Sequence, residues 1–139
     1  MIEASKTRPN LRRLTKVFAN YPGIQAVYLF GSHAAGTARA TNDLDLAIVP
    51  RSPTVRQRRL DILADLARHG FCNVDLVFLD TDDITLKYEA MRQNNVVYQT
   101  ADFDRGTLYS LIVRQYLDFL PYLNVQREAY KRRILDGQS

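Results

Sequence analysis

The sequence predicts an α/β (α+β) domain with a small mixed β-sheet flanked by helices, on three observations. Short runs rich in β-branched and aromatic residues recur at 24–30, 44–49 and 74–79. Segments of helical apolar spacing separate or flank them, and Pro, Gly or Asn stands at most of the junctions. Such alternation of strand and helix is the pattern of a sheet covered by helices.

The elements follow in order. Leu11, Leu14, Val17 and Phe18 fall at helical spacing within 10–20, after Pro9 and before Tyr21-Pro22-Gly23. Ile24 to Phe30 reads as a strand that breaks at Gly31-Ser32. His33 to Asn42 is small, polar and glycine-containing, a loop before a second strand over 44–49 that Pro50 stops. After Pro53, one helical face runs through Val55, Leu60, Ile62, Leu63, Leu66 and Ala67. His69-Gly70 closes it, the histidine favoured by the helix dipole and the glycine suited to the cap. Val74 to Leu79 is a nearly continuous apolar run of the kind a buried strand shows. Thr81 or Asp80 is expected to cap a helix over about 82–94, with Asp82 and Asp83 as first-turn acids. Val96-Val97-Tyr98 reads as a brief edge strand. From about 104, Leu108, Leu111, Ile112, Tyr116, Phe119 and Leu120 line one face of a last helix, which Pro121 should end or kink. The organisation expected is a core over 1–104 and a C-terminal helical extension over 105–139 of the same domain, packed on the core or projecting toward a partner.

With 139 residues, 46% apolar and 24% charged, the chain has room for one globular domain. A single cysteine, Cys72, offers no intramolecular disulfide and is expected as a small buried hydrophobe, which favours a reducing, cytoplasmic setting. No apolar run approaches the roughly 20 residues that span a bilayer, and MIEASKTRPNLRR lacks the apolar region of a secretory signal. Membrane-spanning, collagen-like and disulfide-scaffold classes are excluded on these grounds.

The net charge is +4, and thirteen of the nineteen Lys and Arg lie in three clusters at 6–16, 51–59 and 127–133. Between them fall Asp43, Asp45, Asp75, Asp80, Asp82 and Asp83, an arrangement compatible with a metal and a polyphosphate held in a basic frame. Solvated helix faces explain such clusters equally well.

Strand alternation puts Asp43 and Asp45 on one face, their α-carbons roughly 6.6 Å apart, and turns Leu44 and Leu46 into the core. Two facing carboxylates repel each other, and a cation offsets that repulsion. Mg²⁺ suits the role, since it takes oxygen ligands and commonly combines one or two carboxylates with substrate phosphates. A third acid, Asp75, sits in the apolar run Asn73-Val74-Asp75-Leu76-Val77. If that strand lies beside the second, the three acids converge, as transfer with two ions about 3.5–4 Å apart requires. The third acid would also supply a general base. Gly31-Ser32 follows the first strand, where glycine lets backbone amides approach a phosphate and serine adds a donor.

Leu29-Phe30-Gly31-Ser32, ten residues, then Asp43-Leu44-Asp45-Leu46 resembles the Gly-Ser-x10-Asp-x-Asp signature of the polymerase-β-like nucleotidyltransferase superfamily. In its small size, in Asp75 and in the tail Tyr116-Leu117-Asp118-Phe119-Leu120-Pro121-Tyr122, the chain resembles the minimal nucleotidyltransferase (MNT) domains, antitoxins of HEPN/MNT pairs. The resemblance implies Mg²⁺-dependent transfer of AMP from ATP to a hydroxyl, in the antitoxins a tyrosine of the cognate HEPN ribonuclease, with a hetero-oligomer of the two. It implies Asp43, Asp45 and Asp75 as catalytic and metal-binding residues for two Mg²⁺ ions, with Gly31 and Ser32 on the triphosphate.

The sequence departs from the pattern where many relatives carry basic residues after Gly-Ser: here stand His33-Ala34-Ala35-Gly36, and Arg39 is the charge the same loop can supply to the nucleotide. His33 is open between a phosphate-facing donor and an exposed loop residue. That departure motivates a second reading, an antitoxin that binds and occludes without catalysis; a third, transfer to RNA or a small molecule, is one that the same core supports in relatives. No basic track interleaved with aromatics is present, so direct nucleic-acid binding is not expected.

Overall fold

The structure, a computed structural model, describes residues 11–31 and 44–138. Ser32, His33, Arg39 and Asp43 lie outside the described residues. Four strands, β1 (Ile24–Phe30), β2 (Leu44–Pro50), β3 (Val74–Phe78) and β4 (Val96–Gln99), form one mixed sheet in the order β3-β2-β1-β4. β1 runs antiparallel to β2 and to β4, and β2 runs parallel to β3. Among the described residues four α-helices surround it: α1 (Leu11–Phe18), α2 (Arg59–Arg68), α3 (Ile84–Met91) and α4 (Arg105–Gln138).

Alternation along the strands divides the apolar side chains between two layers. Val27, Leu29, Leu44, Leu46, Ile48 and Leu76 face one way and pack on Leu14, Val17 and Phe18 of α1 and on Ile62 and Leu66 of α2. Ala26, Tyr28 and Ala47 face the other way, against Ala90 and Met91 of α3 and Ile112 of α4. Leu44 and Leu46 thus point into the core as the alternation predicted. α3 and α4 are joined by Tyr88 and Tyr116, whose rings stack with centroids 3.8 Å apart and planes 3° from parallel.

The expected continuous helix after Pro53 is two elements, a 3-10 helix (Pro53–Arg58) and then α2. Its first turn is capped by Ser52, whose Oγ accepts from the Thr54 amide at 3.3 Å. Within α2, at 100° per residue, Leu60 stands about 160° around the helix from Ile62 and about 120° from Leu66. Leu60 consequently leaves the core face and is 78% exposed. α2 ends in a Schellman arrangement: Gly70 takes φ +94°, its amide donates to Ala67, and the Phe71 amide donates to Leu66 at 2.8 Å. Phe71 then packs against the core and the neighbouring Cys72 is exposed, so the expectation of a buried cysteine is corrected.

The cap of α3 also differs from expectation. Asp83, not Thr81 or Asp80, accepts the Leu86 amide at 3.1 Å. Thr81 Oγ1 instead accepts the Asp83 amide at 3.2 Å, and Asp80 is held by Arg56 at 2.6 Å. The helix closes at Met91, short of 94, and Asn94 takes a left-handed φ of 53°. α4 begins behind Asp104, which accepts the Thr107 amide at 3.1 Å, and it neither stops nor breaks at Pro121. Proline leaves the Leu117 carbonyl without its helical donor, and the helix tolerates this because both residues are exposed to water. No helix among the described residues is long and apolar enough to cross a membrane.

Candidate active site

The end of β1 and the starts of β2 and β3 meet at one end of the sheet. Phe30 is the register partner of Asp45, and Asp45 is the register partner of Asp75. Register partners on neighbouring strands share a face about 4.8 Å apart, so the two carboxylates stand side by side. Their face is that of Ala47 and Tyr28, opposite Leu44 and Leu46. Asp45 is half-buried and Asp75 exposed, a graded pair with one acid at the sheet and one toward solvent.

Gly31 closes the other side of Asp45. It takes φ +74°, a conformation that L side chains rarely adopt, and a Cβ placed on it would overlap Asp45 Oδ2 and lie 3.2 Å from Asp45 Cγ. The sequence motivates this glycine by approach of the backbone to phosphate. The structure adds a second reason, because the carboxylate itself occupies the space a side chain would fill. The signal for it was available: a glycine next after the strand residue that opposes an acid in an antiparallel pair.

Of the three acids expected to converge, the structure brings together Asp45 and Asp75. Among the described residues no group of three or more His, Cys, Asp or Glu gathers elsewhere. Two oxygen-only donors side by side on a rigid sheet, with one open to solvent, fit a hard divalent ion of the Mg²⁺ type.

The arginines of the cluster at 51–59 make contacts of their own. Arg51 Nη1 donates to Asp102 at 2.8 Å, Arg56 binds Asp80, and Arg58 Nε donates to Asp61 at 2.8 Å. The Asp102 carboxyl is held far below the usual carboxylate range, first by its hydrogen bond from Arg51 and then by Thr100. Arg59 Nη1 donates to the Leu76 carbonyl at 3.0 Å, which occupies the outer edge of β3. His69 is likewise structural, with Nδ1 2.8 Å from the Asp65 carbonyl. Asp65 also takes the hydroxyl of Tyr21, and burial together with that bond pushes the phenol up to about 12.

Comparison with known proteins gives three findings. The family described as Polymerase beta, Nucleotidyltransferase matches residues 12–103. Protein adenylyltransferase MntA of Shewanella oneidensis (strain MR-1) is 26% identical over 110 residues, spanning 79% of this chain and 76% of that protein. Among solved structures, a toxin-antitoxin crystal structure with AMP-PNP superposes with a TM-score of 0.71 at 23% identity, over 91% of this chain and 99% of the other. An MNT antitoxin in complex with the tri-AMPylated Shewanella oneidensis HEPN toxin gives a TM-score of 0.64 at 22% identity, over 90% and 95% of the two chains. These likenesses show the fold.

Proposed function

The chain belongs to the polymerase β nucleotidyltransferase family, and from that premise we propose that it transfers AMP from ATP to a tyrosine hydroxyl of a partner HEPN toxin and so acts as its antitoxin. The observation that carries the reading is Asp45 and Asp75 in register on parallel strands with Gly31 seated against Asp45. The kinship with a protein adenylyltransferase, and the likeness to antitoxins solved with a nucleotide analogue and with an AMPylated toxin, support the choice of acceptor.

Asp43, Asp45 and Asp75 would hold two Mg²⁺ ions, which would neutralise the triphosphate and the charge that develops in the transfer. Gly31 and Ser32 hold the triphosphate through backbone and hydroxyl donors, and Arg39 contributes charge from the same loop. Asp75, the more exposed acid, faces the incoming hydroxyl and takes its proton. The sheet fixes Asp45 and Asp75 relative to each other, so the reacting groups are positioned before substrate arrives. The setting is the reducing cytoplasm, with the toxin as hetero-oligomeric partner.

The test is incubation of the chain and its HEPN partner with labelled ATP and Mg²⁺. Asp45→Asn abolishes labelling of the toxin, and undiminished labelling removes the mechanism. Protection of cells by Asp43→Asn/Asp45→Asn at normal expression would instead assign neutralisation to binding.

A further inference from the structure

The chain has eight tyrosines, and six of them are buried or half-buried in the body. The two exposed ones, Tyr122 at 69% and Tyr130 at 62%, both stand on the outer half of α4. That half leaves the body: Ile112 is the last buried residue of the helix among those whose burial is described, and every residue from 124 to 135 is exposed. At 1.5 Å per residue, Tyr130 lies about 21 Å along the axis from Tyr116, whose ring is clamped on Tyr88. The far end of the helix therefore stands away from the packed part of the chain, and the exposed hydroxyl at Tyr130 is accessible to a second molecule.

The two tyrosines differ in what surrounds them. Residues three and four apart are neighbours on a helix surface. Tyr130 has Arg127 three residues before and Arg133 three residues after, whereas Tyr122 has Asp118 four before and no basic residue at either spacing. An adenylyl group adds a phosphodiester anion, which two flanking guanidinium groups stabilise and a neighbouring carboxylate opposes.

We propose that Tyr130 is itself an acceptor of adenylate, modified in trans by a second copy of this chain. The proposal rests on the AMP-transfer reading above. The phenolic oxygen of Tyr130 attacks the α-phosphorus of ATP, and a new P–O bond forms. The bond from that phosphorus to the oxygen bridging to the β-phosphorus breaks, and pyrophosphate leaves. The phenol proton passes to the carboxylate of Asp75 in the attacking copy's partner, and no oxidant or reductant is needed.

The experiment is incubation of the purified full chain with ATP and Mg²⁺, read by intact mass and peptide mapping, beside a parallel reaction containing the HEPN toxin. The expected result is a gain of one adenylate on Tyr130, at a rate per molecule that rises with protein concentration. Tyr130→Phe loses it and Tyr122→Phe keeps it. When Asp45→Asn is mixed with Tyr130→Phe, the label appears on the Asp45→Asn chain alone. Toxin labelled with no gain at Tyr130 overturns this proposal and leaves the AMP-transfer reading standing. A gain that persists in Tyr130→Phe overturns it as well, and absence of label on both proteins overturns both readings.

Discussion

Gly31→Ala separates the two demands that the structure makes on position 31. The first is conformational: at φ +74° an alanine costs about 1–2 kcal/mol relative to glycine. For a chain of 139 residues that lowers the unfolding midpoint by about 3–7 °C. The second is spatial: the new methyl overlaps Asp45 Oδ2. Because Oδ2 ends a rotatable side chain, the clash is relieved by turning the carboxylate away by about 1 Å, and the fold survives. A displacement of that size at a reacting centre costs about a hundredfold in rate. The variant should therefore remain folded, with a modestly lower midpoint by calorimetry, while adenylate transfer to the partner falls about a hundredfold. Transfer at the wild-type rate would refute the argument that Gly31 sets the position of Asp45. Complete unfolding would refute it too, since the clash was assigned to a side chain that can move.

Three further outcomes follow from contacts away from the acids. Tyr21, with its phenol raised to about 12 against an ordinary value of 10.0, stays protonated in the folded chain where an unfolded chain ionises. The folded state therefore binds more protons between those values, and stability is full below about pH 10 and falls as the pH rises toward 12. Urea midpoints across that range should decline more steeply in the wild type than in Tyr21→Phe, and parallel curves would remove the assignment. Tyr28 buries its hydroxyl with no hydrogen-bond partner among the described residues, so Tyr28→Phe should hold or raise stability by up to about 1 kcal/mol in denaturant titration. A loss of more than that would show the hydroxyl to be satisfied. Arg59→Ala strips the cover from the Leu76 carbonyl on edge strand β3, which should increase concentration-dependent association in light scattering; unchanged scattering would count against an edge-guarding role.

The strands were legible because their apolar runs are short and bounded, and because two-residue alternation sends Leu44 and Leu46 one way and Asp45 the other. The adjacency of Asp45 and Asp75 was only conditional in the sequence: periodicity fixes a face within a strand but not which strand lies beside it, and that follows from the crossover through α2. Local competition explains the remaining differences. Asp80, Thr81 and Asp83 all carry oxygens able to cap α3, and Arg56 draws Asp80 away while Thr81 binds the amide of Asp83 itself. Leu60 is exposed because, within the α-helix itself, it stands about 160° around from Ile62, off the face that Ile62 and Leu66 bury. Pro121 misled in the opposite direction, since the cost of a proline within a helix depends on whether water can reach the carbonyl it orphans.

That orphaned carbonyl at Leu117 makes α4 a cantilever with one soft joint. Seventeen residues of the helix lie beyond Pro121, an arm of about 26 Å. A tilt of about 20° at the proline, the onset of a sharp kink, sweeps its tip through about 9 Å. The buried residue Ile112 and the ring stack at Tyr116 both lie before the joint, so that movement leaves these two anchors of the helix in place.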